Sequence, residues 1–171
     1  MAQIIGLQSR SCLNPDSDEW KLIERKFKLS VPTVKISQIE VNQSKAHLSR
    51  YYLERELMQT KLGHQPLEMQ LWHGTSHTPP SRILKSDQGL DICYSSGGLW
   101  GRALYFAEQA SYSVPNFSYK VPGTPCQQVF LVDVLLGKSV TLPMSCHIIK
   151  PPLPFDSVNG KALGQPIHMV Y

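Results

Sequence analysis

The stretch QLWHGTSH ends an alternating, strand-like run on a histidine and follows it at once with glycine and threonine. A corner made of His73, Gly74 and Thr75 offers one imidazole and a backbone unobstructed by a side chain. That combination suits gripping a ligand better than filling a core. The second stretch, GGLWGRALYFAEQASYS, supplies an aromatic at Tyr105 and hydroxyls up to Ser113. Each of these is ordinary alone: a tyrosine in LYFA reads as core, and Ser113 reads as the end of a helical turn. The glycine pair is weak evidence for a phosphate cradle, because no G-x-G-x-x-G or G-K-[ST] pattern accompanies it. Cys12, Cys93, Cys126 and Cys146 lie far apart, and even with His147 beside Cys146 they lack the paired spacing of a zinc site. No metal is expected.

The elements that must position these residues can be read from the pattern. Ser17 or Asp18 caps a helix with Trp20, Ile23 and Phe27 on one face. The run PTVKISQIEV alternates, slips phase and resumes, which predicts a strand with a bulge. SKAHLSRYYLERELMQT predicts an amphipathic helix capped by Ser44, with Leu48, Tyr51, Tyr52 and Met58 near helical spacing. LEMQLWH puts Leu67, Met69, Leu71 and His73 on one strand face, so His73 emerges where the core opens. A short helix follows in PPSRILKSDQG, with proline early and Gly89 as its stop. RALYFAEQASYS runs from a short strand into a helix beginning near Ala107. CQQVFLVDVLLGKSVTL predicts two strands around a Gly-Lys turn, and IHMVY a final strand. Short mixed strands with few helices indicate an α+β domain.

At 171 residues the chain suits one domain with a genuine core. Its formal charge of +4, from 17 basic and 13 acidic residues, is small and dispersed. It favours an anionic ligand without arguing for nucleic acid. The N-terminus lacks the pattern of a signal peptide, and no apolar run reaches the ~18 residues of a membrane span. No membrane partner is expected. Sparse cysteines point to reduced thiols and an intracellular setting, nucleus or cytoplasm. Residues 1–17 have no period and read as a loose leader, with the domain over 18–171.

The order LWHGT, GLD, GGLWGRALYFAEQASYS, VFLVDVLLGKS and PPLPFDSVNG resembles the catalytic domain of the poly(ADP-ribose) polymerase family, on its mono-ADP-ribosyltransferase branch. The resemblance covers about residues 18–171. It implies the ADP-ribosyltransferase fold, with split antiparallel-rich β-sheets, flanking helices and a cleft for NAD. It further implies an NAD-consuming enzyme that moves ADP-ribose to a protein acceptor and releases nicotinamide.

The resemblance also assigns roles. Gly74 supplies the backbone pair to the nicotinamide carboxamide, its missing side chain permitting close approach. Ser113 adds a second hydrogen bond, and Tyr105 stacks on the ring. Phe117 and Tyr119 both remain candidates for the opposite aromatic wall, and Thr75 completes the cofactor-binding corner. His73 takes the adenosine ribose, so His73 and Tyr105 form the catalytic pair. The family's third catalytic position is expected on a strand beyond IHMVY, within a Tyr-Pro-x-Tyr-Leu pattern that this sequence does not contain. Glu108 does not take its place. Without that strand a neighbour at the centre of a sheet is expected to lie unpaired. A second departure is Ala103, where the family more often has glycine. Two other readings stand beside this one: a non-catalytic NAD or ADP-ribose binding module, and an RNA 2′-phosphotransferase. The latter is disfavoured by the lack of a basic cluster and of a later His-x-His.

Overall fold

A computed structural model describes residues 10–171 of the chain. Helix α1 (Asp18–Lys28) begins where its capping signal lies. Ser17 Oγ accepts from the Trp20 N–H at 3.2 Å, and Trp20 and Phe27, seven residues apart on one face, are both buried. Arg10–Cys12, within the stretch expected to be a loose leader, forms a short strand, β1. Residues 1–9 of that leader lie outside the described residues. β1 pairs with β2 (Glu40–Asn42), which is all that remains of the bulged strand expected over 32–41. The apolar residues there serve α1 instead: Val31 and Ile36 pack on the cluster of Phe27, Trp72 and Ala110, and Val34 is exposed.

Helix α2 (Lys45–Leu62) is capped by Ser44 and stopped by Gly63 in the left-handed conformation. It is not the buried amphipathic helix its spacing suggests. None of its residues is buried, and Leu48, Tyr52, Leu53 and Leu57 are exposed. Polar contacts hold it to the rest. The His47 ring bridges Asn42 and the Ser86 carbonyl, Arg55 meets Glu68, and Lys61 pairs with Asp156.

The frame is a six-stranded sheet. In chain order its strands are β3 (Glu68–His73), β4 (Leu104–Ala107), β7 (Phe130–Leu135), β8 (Ser139–Thr141), β9 (Ser157–Ala162) and β10 (Gln165–Val170). Their spatial order is β7-β3-β4-β10-β9-β8. The remaining elements are α3 (Pro80–Lys85), a 3₁₀ turn at Ile92–Tyr94, α4 (Ala110–Phe117) and a small ribbon of β5 (Tyr119–Lys120) with β6 (Gln127–Gln128). All pairs in the large sheet are antiparallel except β8 with β9. This is the α+β architecture expected.

One junction matters most. β3 pairs with β7 from Glu68 to His73, and β10 pairs with β4 from Ile167 to Val170. β3 meets β4 through the single pair Trp72–Ala107. The sheet is therefore two ladders that separate immediately beyond one residue pair, which realises the expected split.

Two expectations need correction. β7 and β8 do not pair with each other across the Gly137 turn but sit at opposite edges. The connection Leu136–Lys138 is too short to cross a flat sheet, spanning at most ~14 Å, so the sheet must curl until its edges meet. The Ser157 hydroxyl, at the start of β9, donates to the Leu136 carbonyl at 2.7 Å, just past the end of β7, and so ties the closure. Second, among the described residues no central strand lacks a neighbour. The last strand, β10, lies between β4 and β9 and pairs with both.

Candidate active site

His73 ends β3 and sits at the split. Its Nδ1 lies 2.7 Å from the Tyr105 carbonyl oxygen on β4, across the gap where the two ladders part. A carbonyl can only accept, so Nδ1 carries the proton. Burial pulls the ring's pKa below its ordinary value, and the bond to Tyr105 offsets this only in part. His73 is therefore neutral near pH 7, with Nε2 left as a bare acceptor. The ring also tilts against Phe106, centroids 5.2 Å apart.

The corner after His73 is closed by the end of α4. A Cβ built on Gly74 would lie 2.3 Å from the Phe117 carbonyl oxygen and 2.4 Å from its carbonyl carbon. The Ser76 N–H donates to that same oxygen at 2.7 Å. The structure adds a packing reason for this glycine: the space beside its Cα holds the Phe117 main chain. Thr75 spends its hydroxyl on the Thr78 carbonyl at 2.6 Å, shaping the turn. Ser113 is buried, and its Oγ reaches the Trp72 carbonyl at a long 3.4 Å.

Of the two candidate aromatics, Phe117 is the one at the corner. Its backbone covers Gly74, and its half-exposed ring lies 5.2 Å from that of Tyr112. Tyr119 belongs to β5 and pairs with Gln128.

Tyr105 faces the cluster of Trp100, Ile167 and Met169. Its hydroxyl is committed twice, donating to the Gly101 carbonyl at 2.6 Å and accepting from the Trp100 N–H at 2.9 Å. The phenol is a pin for the glycine-rich loop, which leaves the ring as the part available to a ligand. Gly98 lies so close that a Cβ there would be 2.8 Å from the ring's Cζ. Burial raises the pKa values of Tyr105 and Tyr112, and burial, then Tyr105 itself, pushes Tyr171 up to about 12. All three phenols stay protonated at neutral pH.

Sequence reasoning missed three contributors. Tyr112 extends the aromatic wall. Trp100 anchors the loop, its indole donating to the Leu142 carbonyl at 2.9 Å. β10 sets Met169 opposite Tyr105 and Ile167 opposite Ala107, an apolar floor with no carboxylate at those two positions. Glu108 is engaged elsewhere, 2.9 Å from His168 Nε2. Hollows of about 450 and 410 Å³ near the end of α2 involve none of these residues, so the chemistry places the site rather than the depth of a hollow. Among the described residues no group of three His, Cys, Asp or Glu could hold a metal ion.

Comparison with known proteins decides the family. The sequence pattern of the poly(ADP-ribose) polymerase catalytic domain matches residues 17–169, nearly the whole chain. The chain belongs to that family. A probable poly [ADP-ribose] polymerase of Dictyostelium discoideum is 34% identical over 153 residues, covering 86% of this chain and 44% of the relative. The human protein mono-ADP-ribosyltransferase PARP12 is 29% identical over 141 residues, 82% of this chain and 19% of its own length. Mouse protein mono-ADP-ribosyltransferase PARP10 is 29% identical over 130 residues, 73% and 13%. The chain thus spans less than half the length of these relatives. Within this poly(ADP-ribose) polymerase catalytic domain, the split between the two ladders is where His73, Gly74, Tyr105, Ser113 and Phe117 come together.

Proposed function

We propose that this domain is an NAD-dependent ADP-ribosyltransferase that moves single ADP-ribose units to a protein side chain. The observation that carries the reading is the neutral His73, held by its Nδ1 proton to Tyr105 with Nε2 free to accept. A ribose hydroxyl is a donor, so it fits that atom. The Gly74 main chain and the Ser113 hydroxyl serve the nicotinamide carboxamide, and the rings of Tyr105 and Phe117 serve its faces. Such aromatic contacts contribute roughly 0.5–1.5 kcal/mol beyond burial.

In the reaction the bond between nicotinamide and ribose breaks, and its electron pair leaves with the nicotinamide as the ring becomes neutral. The acceptor's nucleophile then bonds to the cationic ribose carbon. The transition state resembles the oxocarbenium ion of glycosidases. No side chain of the site forms a covalent intermediate in this scheme; positioning carries the rate.

The floor supports transfer of one unit rather than many. Chain growth needs a group that polarises a ribose hydroxyl as the next nucleophile. On β10, Met169 stands opposite Tyr105 and Ile167 opposite Ala107, and neither can accept a proton. An acceptor that brings its own nucleophile is less demanding. Four exposed, unpaired thiols support an intracellular setting.

Isotope-labelled NAD with the domain and a mixed protein substrate tests this. Single labelled units and free nicotinamide are expected. Long chains would refute the mono-transferase reading, and NAD binding without nicotinamide release would leave a binding module.

A further inference from the structure

Helix α4 carries Ser113 and Phe117, yet it is poorly equipped to stand alone. It has eight residues, below the length at which a helix holds in water unaided. Its N-cap residue, Gln109, makes no side-chain cap bond. Pro115 has no N–H, so the Ser111 carbonyl loses the partner a fourth residue on would give. The helix must be set in place from outside.

The outside contact comes from 81 residues away. Ser30 lies just past α1, where the N–H groups of Leu29, Ser30 and Val31 bond back to the carbonyls of Arg25 and Phe27. This fixes the Ser30 hydroxyl, which accepts from the Ser111 N–H at 3.2 Å. Ser111 is the second residue of α4, and its N–H is one of the first-turn donors that a capping side chain normally satisfies. The same corner is locked by packing. Ala110 is fully buried with Phe27 and Trp72, whose rings meet edge to face at 5.5 Å. Trp72 is the residue before His73, and its carbonyl faces Ser113.

We propose that Ser30 is a positioning residue of the NAD site. It caps α4 from the end of α1 and thereby sets Ser113 and Phe117 at working height against the His73–Gly74 corner. It touches no ligand itself. The inference rests on the NAD-site reading above.

The test measures binding and turnover in the whole chain. A capping hydroxyl of this kind is worth about a fivefold change in an equilibrium constant. Ser30→Ala should weaken binding of benzamide, a nicotinamide mimic, and raise the KM for NAD by about that factor. The kcat should change less than about twofold, because the reacting groups remain. Ser30→Thr, which keeps a capping hydroxyl, should restore both. Ser44→Ala is the control: it removes an equivalent cap from α2, so its loss of thermal stability should come without a change in KM. Hydrogen exchange of the 110–117 amides should quicken in Ser30→Ala alone.

Three results would overturn the inference: unchanged benzamide affinity in Ser30→Ala, an equal KM rise in Ser44→Ala, or failure of Ser30→Thr to rescue. If the wild-type chain binds neither benzamide nor NAD, the functional reading falls first and this inference with it.

Discussion

Replacing Gly74 by alanine adds one methyl group, and the structure says where it goes. The new Cβ would stand 2.3 Å from the Phe117 carbonyl oxygen and 2.7 Å from the Phe117 Cβ, where ordinary contact begins at 3.4 Å. The obstacle is chiefly main chain, so no rotamer change relieves it. The end of α4 must retreat by more than about 1 Å, weakening the bond from the Ser76 N–H to the same oxygen. Overpacking of this kind costs about 1–3 kcal/mol. For a chain this size that lowers Tm by roughly 3–10 °C without any ligand. Phe117 moves with the helix end, so NAD affinity should fall about tenfold or more. Gly74→Val should be hardly worse than Gly74→Ala, since the Cβ itself makes the clash. Had the glycine served only to leave room for nicotinamide, alanine would be mild, valine severe, and the ligand-free Tm unmoved. Thermal unfolding of both variants, then calorimetry with NAD, separates the cases. An alanine variant with wild-type Tm and affinity would refute the packing argument.

His73 makes stability depend on pH. Its folded pKa lies below the ordinary 6.5 because of burial, so as pH drops below 6.5 the unfolded ring takes up a proton that the folded ring still refuses. Stability should be flat above that value, then fall by up to ~1.4 kcal/mol per pH unit until the folded ring also titrates. His73→Gln should flatten this part of a Tm-against-pH profile, and an unaltered profile would remove His73 as its source. Tyr105→Phe strips a hydroxyl from the Gly101 carbonyl and the Trp100 N–H. It should cost about 1–3 kcal/mol of stability while kcat falls less than about tenfold; a collapse in kcat at unchanged Tm would show instead that the phenol acts chemically. In the turn joining β9 to β10, Leu163 has φ 49° beside Gly164 at 75° and is 79% exposed. Leu163→Asn should raise stability by about 0.5–1 kcal/mol, read as a higher Tm, because asparagine accepts that conformation more readily.

That same turn shows why parts of the fold were hidden in the sequence. A two-residue hairpin turn is normally announced by Asn-Gly, and here it is Leu-Gly. β9 itself, SVNGKA, is poor in strand-forming residues. It is held through Gly160, over which the Trp100 ring lies so closely that a Cβ would stand 2.2 Å from Cζ2. Neither fact has a local signature. The caps at Ser17 and Ser44, the end of β3 at His73 and the strand at LYFA were legible because each follows from a few adjacent residues. The placement of β7 and β8 at opposite edges was not, since curling of the sheet involves contacts between residues far apart in the chain, such as Ser157 with the Leu136 carbonyl. For the site, the motif residues were legible by resemblance, and Phe117 over Tyr119 only from packing. Exposure along α2 defeated the period-based reading, because the helix is held through polar side chains rather than an apolar face.

The split in the sheet explains why the site residues also hold the fold together. Two strands that part after a single pair leave main-chain groups with no ladder partner, and such groups must be matched by something else. At this junction the Tyr105 carbonyl is taken by the His73 ring, and the Ser113 hydroxyl adds a long contact to the carbonyl of Trp72, the last β3 residue still paired with β4. A side chain replaces the missing strand-to-strand bond at Tyr105. A dinucleotide needs convergent donors and acceptors on rigid backbone, and an unbroken ladder offers few, having spent them on itself. The break supplies them, and the residues that repair it are already aimed into it. Loosening any of them should therefore lower stability and affinity together, as argued for Gly74. Leu163, remote from the break, should move stability alone.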